Sequence, residues 1–237
     1  MENWLIRSEL LLGKDTLEVF KSKRVAVTGL GGVGAYAAEM LARAGIGAMI
    51  IIDSDIINPS NKNRQLLALD STVGMAKTDV MAKRLLDINP QIELKIINEF
   101  ITADNIAELL SGEKLDYIVD AIDTLSPKIA LIKYALDTGI PVVSSMGAGA
   151  KLDATKIRIT DISKSFNCPL AYMLRKRLRK EGISKGFKVV FSEELPDENA
   201  ILAVQEQNKK SIVGTISYLP AVFGAVCAQV VIRHFVG

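Results

Sequence analysis

The sequence predicts an α/β fold: a doubly wound, Rossmann-like, mostly parallel sheet with a C-terminal extension of antiparallel strands and helices. Three observations predict it. A short apolar strand, Val25–Thr28, runs into Gly29-Leu30-Gly31-Gly32-Val33-Gly34, and after an alanine-rich helical stretch a second strand, Met49–Ile52, ends on Asp53. Strands and helical stretches then alternate as far as Gly149, the pattern of a parallel sheet covered on both faces. Hydrophobic residues make up 49% of the 237 and aromatic ones only 5%, so the core is aliphatic.

Taken in order, Leu5, Leu10, Leu11 and Leu12 mark a short first helix, and Thr16–Phe20 a second. Arg7, on the first, reads from its spacing alone as a solvated helix charge. In the glycine turn, Gly29 permits the tight bend, and Gly31, beside Gly32, lets a phosphate or sugar approach the backbone. Gly34 lets the helix pack on its strand. Free N–H groups at the helix start, with its dipole, favour an anion. Asp53, about 20 residues further on, is placed to accept hydrogen bonds from ribose hydroxyls. Together these predict nucleotide binding.

After Asp53 and Asp55 comes a polar loop, Asn58-Pro59-Ser60-Asn61-Lys62-Asn63-Arg64-Gln65, and Lys77 opens a helix over Thr78–Ile88. Asn61, Arg64, Gln65 and Lys77 read either as donors aimed at phosphates or as an Asn-rich turn with surface charges. Ile92–Ile97 is the third strand, Asn105–Leu110 a helix and Tyr117–Val119 the fourth strand, running into Asp120-Ala121-Ile122-Asp123. A helix over Ile129–Leu136 follows, then a fifth strand, Pro141–Ser144, that runs into Gly147-Ala148-Gly149. Strand ends of one edge gather ligand groups in doubly wound sheets. Asp123 therefore reads as a ligand for Mg²⁺ held against phosphates. Asp120 reads either as a second ligand or as a strand-end cap.

Residues 1–150 form the expected nucleotide-binding domain, and 151–237 an extension completing it. Lys156–Ile162 alternates as a strand. Pro169–Lys180 is an amphipathic helix whose polar faces carry Arg175, Lys176, Arg177, Arg179 and Lys180. With Lys185 and Lys188 these give seven bases against one acid, Glu181. Any one of them suits a solvated face, whereas the cluster suits a polyanion, nucleic acid first. Phe187–Phe191 is a strand, Ser192–Lys210 a polar loop expected to be mobile, and Ile216–Phe235 a largely apolar closing helix.

Composition excludes several classes. A net charge of +2 selects no partner for the molecule as a whole, and two cysteines cannot make a four-cysteine zinc site. The acidic start MENWLIRSELLLGK is no secretory signal, and the Tyr218–Ile232 tract falls short of the roughly 20 residues that span a bilayer. A cytoplasmic protein that does not touch a membrane is expected. His234, the one histidine, stands beside Phe235 as a packing or exposed residue. Cys168 precedes Pro169 at a helix start, where a thiolate would be stabilised, and Cys227 sits in the apolar helix as a structural residue.

Gly29–Gly34, Asp53-Ser54-Asp55, Asn61-Lys62-Asn63-Arg64-Gln65, Gly74-x-x-Lys77 and Asp120-Ala121-Ile122-Asp123 together resemble the ubiquitin-activating-enzyme-like adenylyltransferase superfamily. Lys151-Leu152-Asp153, Cys168-Pro169-Leu170-Ala171 and the run Arg175–Lys180 look like its tRNA threonylcarbamoyladenosine dehydratase branch. The resemblance implies that Asp53 binds the ATP ribose, that Asn61, Arg64 and Lys77 hold its phosphates, and that Asp123 organises Mg²⁺. It implies a homodimer, with Arg7 reaching the neighbouring subunit's nucleotide. The implied substrate is tRNA bearing threonylcarbamoyladenosine, and a cysteine desulfurase or other sulfur-acceptor system is an implied further partner. Rival readings are activation of the C-terminal glycine of a ubiquitin-like sulfur carrier, NAD-dependent oxidoreduction, and a non-catalytic nucleotide- or RNA-binding module. The first lacks the paired zinc cysteines such activators carry, and the second leaves Asn61–Gln65 and Lys77 without a task.

Overall fold

Val25, Ala26 and Val27 have no exposed surface, and Ile50, Ile51 and Ile52 almost none. These two strands lie inside the sheet for that reason: burying each such valine or isoleucine side chain contributes about 1.5–3 kcal/mol. The structure, a computed structural model, describes residues 4–112, 114–203 and 211–237. In chain order the elements are α1 (Ile6–Leu12), α2 (Lys14–Lys21), β1 (Arg24–Thr28), α3 (Gly34–Arg43), β2 (Ala48–Ile52), α4 (Lys77–Ile88), β3 (Glu93–Ile97) and α5 (Ile106–Leu109). They continue with β4 (Tyr117–Asp120), α6 (Leu125–Asp137), β5 (Val142–Ser145), β6 (Ile157–Asp161), α7 (Pro169–Lys180), β7 (Lys188–Ser192), β8 (Ile201–Ala203), β9 (Ser211–Val213) and α8 (Tyr218–Val236).

The seven-stranded sheet has the order β3-β2-β1-β4-β5-β7-β6. Its first five places are the doubly wound order. β7 joins β5 in parallel, and only β6, at the far edge, runs antiparallel. The expected C-terminal extension thus adds its strands to the main sheet, apart from a separate antiparallel pair, β8 and β9. Side chains alternate across the sheet as strand geometry requires. Val25, Val27, Met49 and Ile51 pack with α2, α3, α4 and α8, while Ala26, Ile50, Ile52 and Ile118 pack with α5, α6 and α7.

Two glycines place the first turn. Gly29 has φ +81°, and a Cβ there would lie 2.8 Å from the Ala121 carbonyl oxygen. At Gly34 a Cβ would fall 1.7 Å from the Gly29 carbonyl oxygen, so even alanine would drive α3 off β1.

Several boundaries differ from expectation. α6 begins four residues before Ile129, because Pro127 is tolerated in a first turn. α8 runs 19 residues to Val236 and is long and apolar enough to cross a membrane by length and composition. Pro220 does not break it, again because it stands in the first turn. Leu219, Phe223, Cys227, Ala228 and Val231 are buried in the core alongside α3, so one face of α8 is covered by protein. Of the loop expected over Ser192–Lys210, Ser192 ends β7, Glu198–Ala200 is a single 3-10 turn and Ile201–Ala203 is β8. Residues 193–197 are irregular chain, and 204–210 lie outside the described residues.

Candidate functional site

The C-terminal ends of β1, β2, β4 and β5 open into one cavity of about 520 Å³. Gly29, Gly31, Gly32, Asp53, Asp55, Asn61, Arg64, Gln65, Lys77 and Asp123 all line it. Ten positions singled out from sequence therefore meet in one chamber, although they come from five separate stretches of chain. Gly34 lies beneath the turn rather than on the cavity wall.

Asp53 directly follows β2 and is locked by backbone donors. Its Oδ2 accepts the Leu30 N–H at 2.6 Å and its Oδ1 the Asp55 N–H at 2.8 Å. Burial holds its carboxyl above the usual aspartate value, outweighing the Lys77 ammonium and both N–H donors. Lys77 is the first residue of α4 and only 4% exposed. Its Nζ lies 2.7 Å from Asp55 Oδ2 and 3.8 Å from Asp53 Oδ1. A buried ammonium held by two carboxylates at a cavity wall is ready to exchange one of them for a ligand anion.

Asn61 caps the single 3-10 turn that starts the polar loop, accepting the Asn58 N–H at 3.1 Å. The turn presents Arg64, whose Nη1 donates to the Ser60 carbonyl at 3.1 Å and to Asn63 Oδ1 at 2.8 Å. Gln65 Oε1 is buried and meets no hydrogen-bond donor among the described residues. The loop therefore holds a charged fork in place and leaves a polar acceptor unused.

The two aspartates at the end of β4 part company. Asp123 is exposed on the cavity wall, and its carboxylate makes no ion pair or hydrogen bond among the described residues. Asp120 turns inward instead. It is fully buried, 2.8 Å from the equally buried Lys128 ammonium, and accepts the Ser144 hydroxyl at 2.6 Å. Of its two readings the structure shows the strand-end cap, with Oδ1 accepting the Ile122 N–H at 3.1 Å, and Asp120 does not line the cavity as a second ligand would. A carboxylate at the last pleat of β4 falls on the core side of the sheet, where Lys128 meets it. Among the described residues no group of three or more His, Cys, Asp or Glu could cage a metal. One unpaired carboxylate in a chamber shared with Arg64 and Lys77 suits Mg²⁺, which takes few protein ligands and completes its shell with phosphate oxygens and water.

Other positions fall elsewhere. Arg7 is exposed on α1 and does not line the cavity. Lys176, Arg177, Arg179 and Lys180 are exposed on α7, while Arg175 is half-buried and hydrogen-bonded to the Ser165 hydroxyl. α7 begins at the cavity, which Leu170 lines, and carries its bases away from it. Cys168, the N-cap of α7, is buried with its Sγ 3.7 Å from where a Gly147 Cβ would be. Cys227 is fully buried, which pushes its thiol up to about 12. His234 packs edge-on against Tyr117, 5.1 Å between ring centres, outside the cavity lining.

Sequence reasoning missed Glu99, Phe100, Thr215 and Pro220 on the cavity wall. Nothing local distinguishes these four. Lys151, noted only within the motif Lys151-Leu152-Asp153, is buried with its ammonium on the Ser192 and Asn167 carbonyls at 3.0 and 3.3 Å, and burial lowers its pKa. Lys128 had a signal, a lysine inside the helix that follows the paired aspartates.

Fold and cavity together define a Rossmann-like α/β protein with a chamber large enough for a nucleotide at the carboxyl edge of its sheet. The chain belongs to the ThiF family, whose profile matches residues 5–237. It is 45% identical over 206 residues to the tRNA threonylcarbamoyladenosine dehydratase of Bacillus subtilis (strain 168), covering 87% of this chain and 79% of that one. It is 44% identical over 179 residues to the Escherichia coli (strain K12) protein of the same name, covering 75% and 66%. The crystal structure of the E. coli dehydratase in complex with ATP superposes with a TM-score of 0.90 at 37% identity, covering 99% of this chain and 96% of that one.

Proposed function

We propose that this chain is an ATP-dependent tRNA threonylcarbamoyladenosine dehydratase. The observation that carries the reading is the near end-to-end likeness to a dehydratase solved with ATP. The cavity supports it, with Arg64, Lys77 and the unpaired Asp123 in one chamber.

The threonyl carboxylate of the modified adenosine attacks the α-phosphorus of ATP, forming an acyl-adenylate and releasing pyrophosphate. The ureido group then closes onto the activated carbonyl and expels AMP, a net loss of water from the base. Ring closure is intramolecular and needs positioning more than a protein nucleophile. Asp53 holds the ribose, the glycine turn admits the phosphates, and Asn61, Arg64 and Lys77 bind charge that grows as pyrophosphate leaves. Asp123 would hold Mg²⁺, which would neutralise phosphate oxygens there. The exposed bases of α7 hold tRNA phosphates, and the helix leads from them to the cavity mouth at Leu170. Arg7 acts on the nucleotide of a second copy in a homodimer, and the protein works in the cytoplasm.

The test is nucleoside mass analysis of threonylcarbamoyladenosine-bearing tRNA after incubation with the protein, ATP and Mg²⁺. The expected result is a product lighter by one water, with AMP formed in equal amount. Unchanged tRNA together with pyrophosphate exchange stimulated by a ubiquitin-like carrier protein would overturn it.

A further inference from the structure

We propose that Lys128 is a positioning residue for Asp123: its buried ion pair with Asp120 grips both backbone polar groups of Ile122 and so sets where the Asp123 carboxylate stands. The inference rests on the role given to Asp123 above. Asp120 Oδ1 accepts the Ile122 N–H at 3.1 Å, and Lys128 Nζ donates to the Ile122 carbonyl at 2.9 Å. The two side chains lie 2.8 Å apart with no exposed surface. One ion pair thus closes a ring around the residue that precedes Asp123 in the chain.

The same pair joins three cavity walls. Ser144, near the end of β5, donates to Asp120 at 2.6 Å. Ala121, inside the gripped turn, is the residue against which Gly29 packs, and its N–H donates to Thr28 at 2.9 Å. Lys128 itself stands on α6, next to Pro127 of the cavity wall. A purely structural charge pair at this depth is often replaceable by well-packed apolar residues without loss of stability. Here the ammonium has a second partner, the carbonyl of a loop that carries an otherwise unsupported carboxylate. Removing it frees the Ile122 carbonyl and lets the Asp123 turn drift, whatever happens to the rest of the core. Groups that orient a metal ligand from behind change metal affinity or activity by about 10–100-fold when removed.

The experiment measures binding of α,β-methylene-ATP by calorimetry across a range of Mg²⁺ concentrations, with a thermal midpoint recorded for each protein. The proteins are wild type, Asp123→Asn, Lys128→Met and the double variant Asp120→Asn with Lys128→Met. Asp123→Asn is expected to raise the Mg²⁺ concentration for half-maximal binding at unchanged thermal midpoint. Lys128→Met is expected to raise it by about 10–100-fold, to leave metal-free nucleotide binding as in wild type, and to lower the thermal midpoint. The double variant leaves no lone buried charge; it should regain thermal stability and keep the displaced metal dependence. It also decides the matter if Lys128→Met does not fold. A wild-type metal dependence in the double variant, alongside a shifted one in Asp123→Asn, would overturn the positioning role. An unshifted Asp123→Asn would instead overturn the role of Asp123 and the inference resting on it.

Discussion

The side-chain amide of Asn63 donates to the backbone carbonyl of Thr215 at 2.9 Å, joining two stretches 152 positions apart. Its Oδ1 meanwhile accepts from Arg64 Nη1 at 2.8 Å. One amide therefore aims the guanidinium and ties the polar loop to the segment that enters α8. Asn63→Ala removes both bonds and should lower turnover roughly tenfold, on the scale of one hydrogen bond to a charged group. Pyrophosphate-exchange kinetics check this, and an unchanged rate would assign Asn63 to loop structure alone.

Arg64→Ala and Lys77→Ala should act mainly on the rate. Their charges gain most as charge shifts toward the leaving pyrophosphate, and each substitution should cost about 2–4 kcal/mol of transition-state stabilisation. Nucleotide affinity measured beside turnover separates the cases. Equal losses in both would make them ground-state anchors.

Selectivity among nucleotides follows from the polar loop. The protein should bind ATP with Mg²⁺ and not NAD, because on the proposed reading Asn61, Arg64 and Lys77, which line the cavity, hold phosphates beyond the two that NAD carries. Titration calorimetry with each nucleotide tests this. Tight NAD binding without ATP binding would remove the adenylation chemistry.

Much of this was legible in the sequence because the signals are local. The glycine turn, the strand ending on Asp53 and the loop Asn61–Gln65 each declare themselves within a few residues, and parallel topology then brings their ends to one edge. Direction of a side chain at a strand end was not legible. Asp120 and Asp123 look alike in sequence, yet one closes a core ion pair and the other stands in the cavity, a difference set by the pleat of β4 and by Lys128. Thr215 and Pro220 were hidden for a different reason: their contribution depends on the path taken between β9 and α8, which no periodicity encodes. Arg175 shares the composition of its neighbours, but helix phase turns it toward Ser165.

The exposed face of α7 can be tested by salt. Replacing Lys176, Arg177, Arg179 and Lys180 with glutamine should weaken tRNA binding and leave ATP affinity unchanged. Every phosphate that the variant no longer holds should flatten the dependence of log affinity on log salt by about one unit. Parallel slopes for variant and wild type would remove α7 from the RNA surface.

Glu39 offers a pH test of stability. Burial raises its carboxyl, but hydrogen bonds from Arg84 and from Arg43, the latter at 2.8 Å, outweigh this and hold it below the usual glutamate value. A carboxyl lowered in the folded state contributes stability above its unfolded pKa, and that contribution is lost as pH falls through the folded value. Glu39→Gln should therefore cost about 1 kcal/mol near neutrality, discounted for the solvent around both arginines, and nothing at strongly acid pH. Denaturant titrations across that range give the answer; a loss that persists in acid would assign the effect to packing.

The two outer strands of the sheet, β3 and β6, have a consequence for how the protein behaves at high concentration. A bare strand edge offers unpaired N–H and C=O groups to any extended chain that meets it, including another copy. Here β3 displays Glu93, paired with Arg24 at 2.8 Å, and Lys95, while β6 displays Arg158, paired with Glu193 at 3.1 Å. Both pairs reach inward over the sheet, to Arg24 on β1 and to Glu193 just after β7, and the same two strands expose Ile96 and Ile159. Each outer strand therefore sets charge beside exposed aliphatic surface, and these two edges are where a second copy would add if the sheet grew.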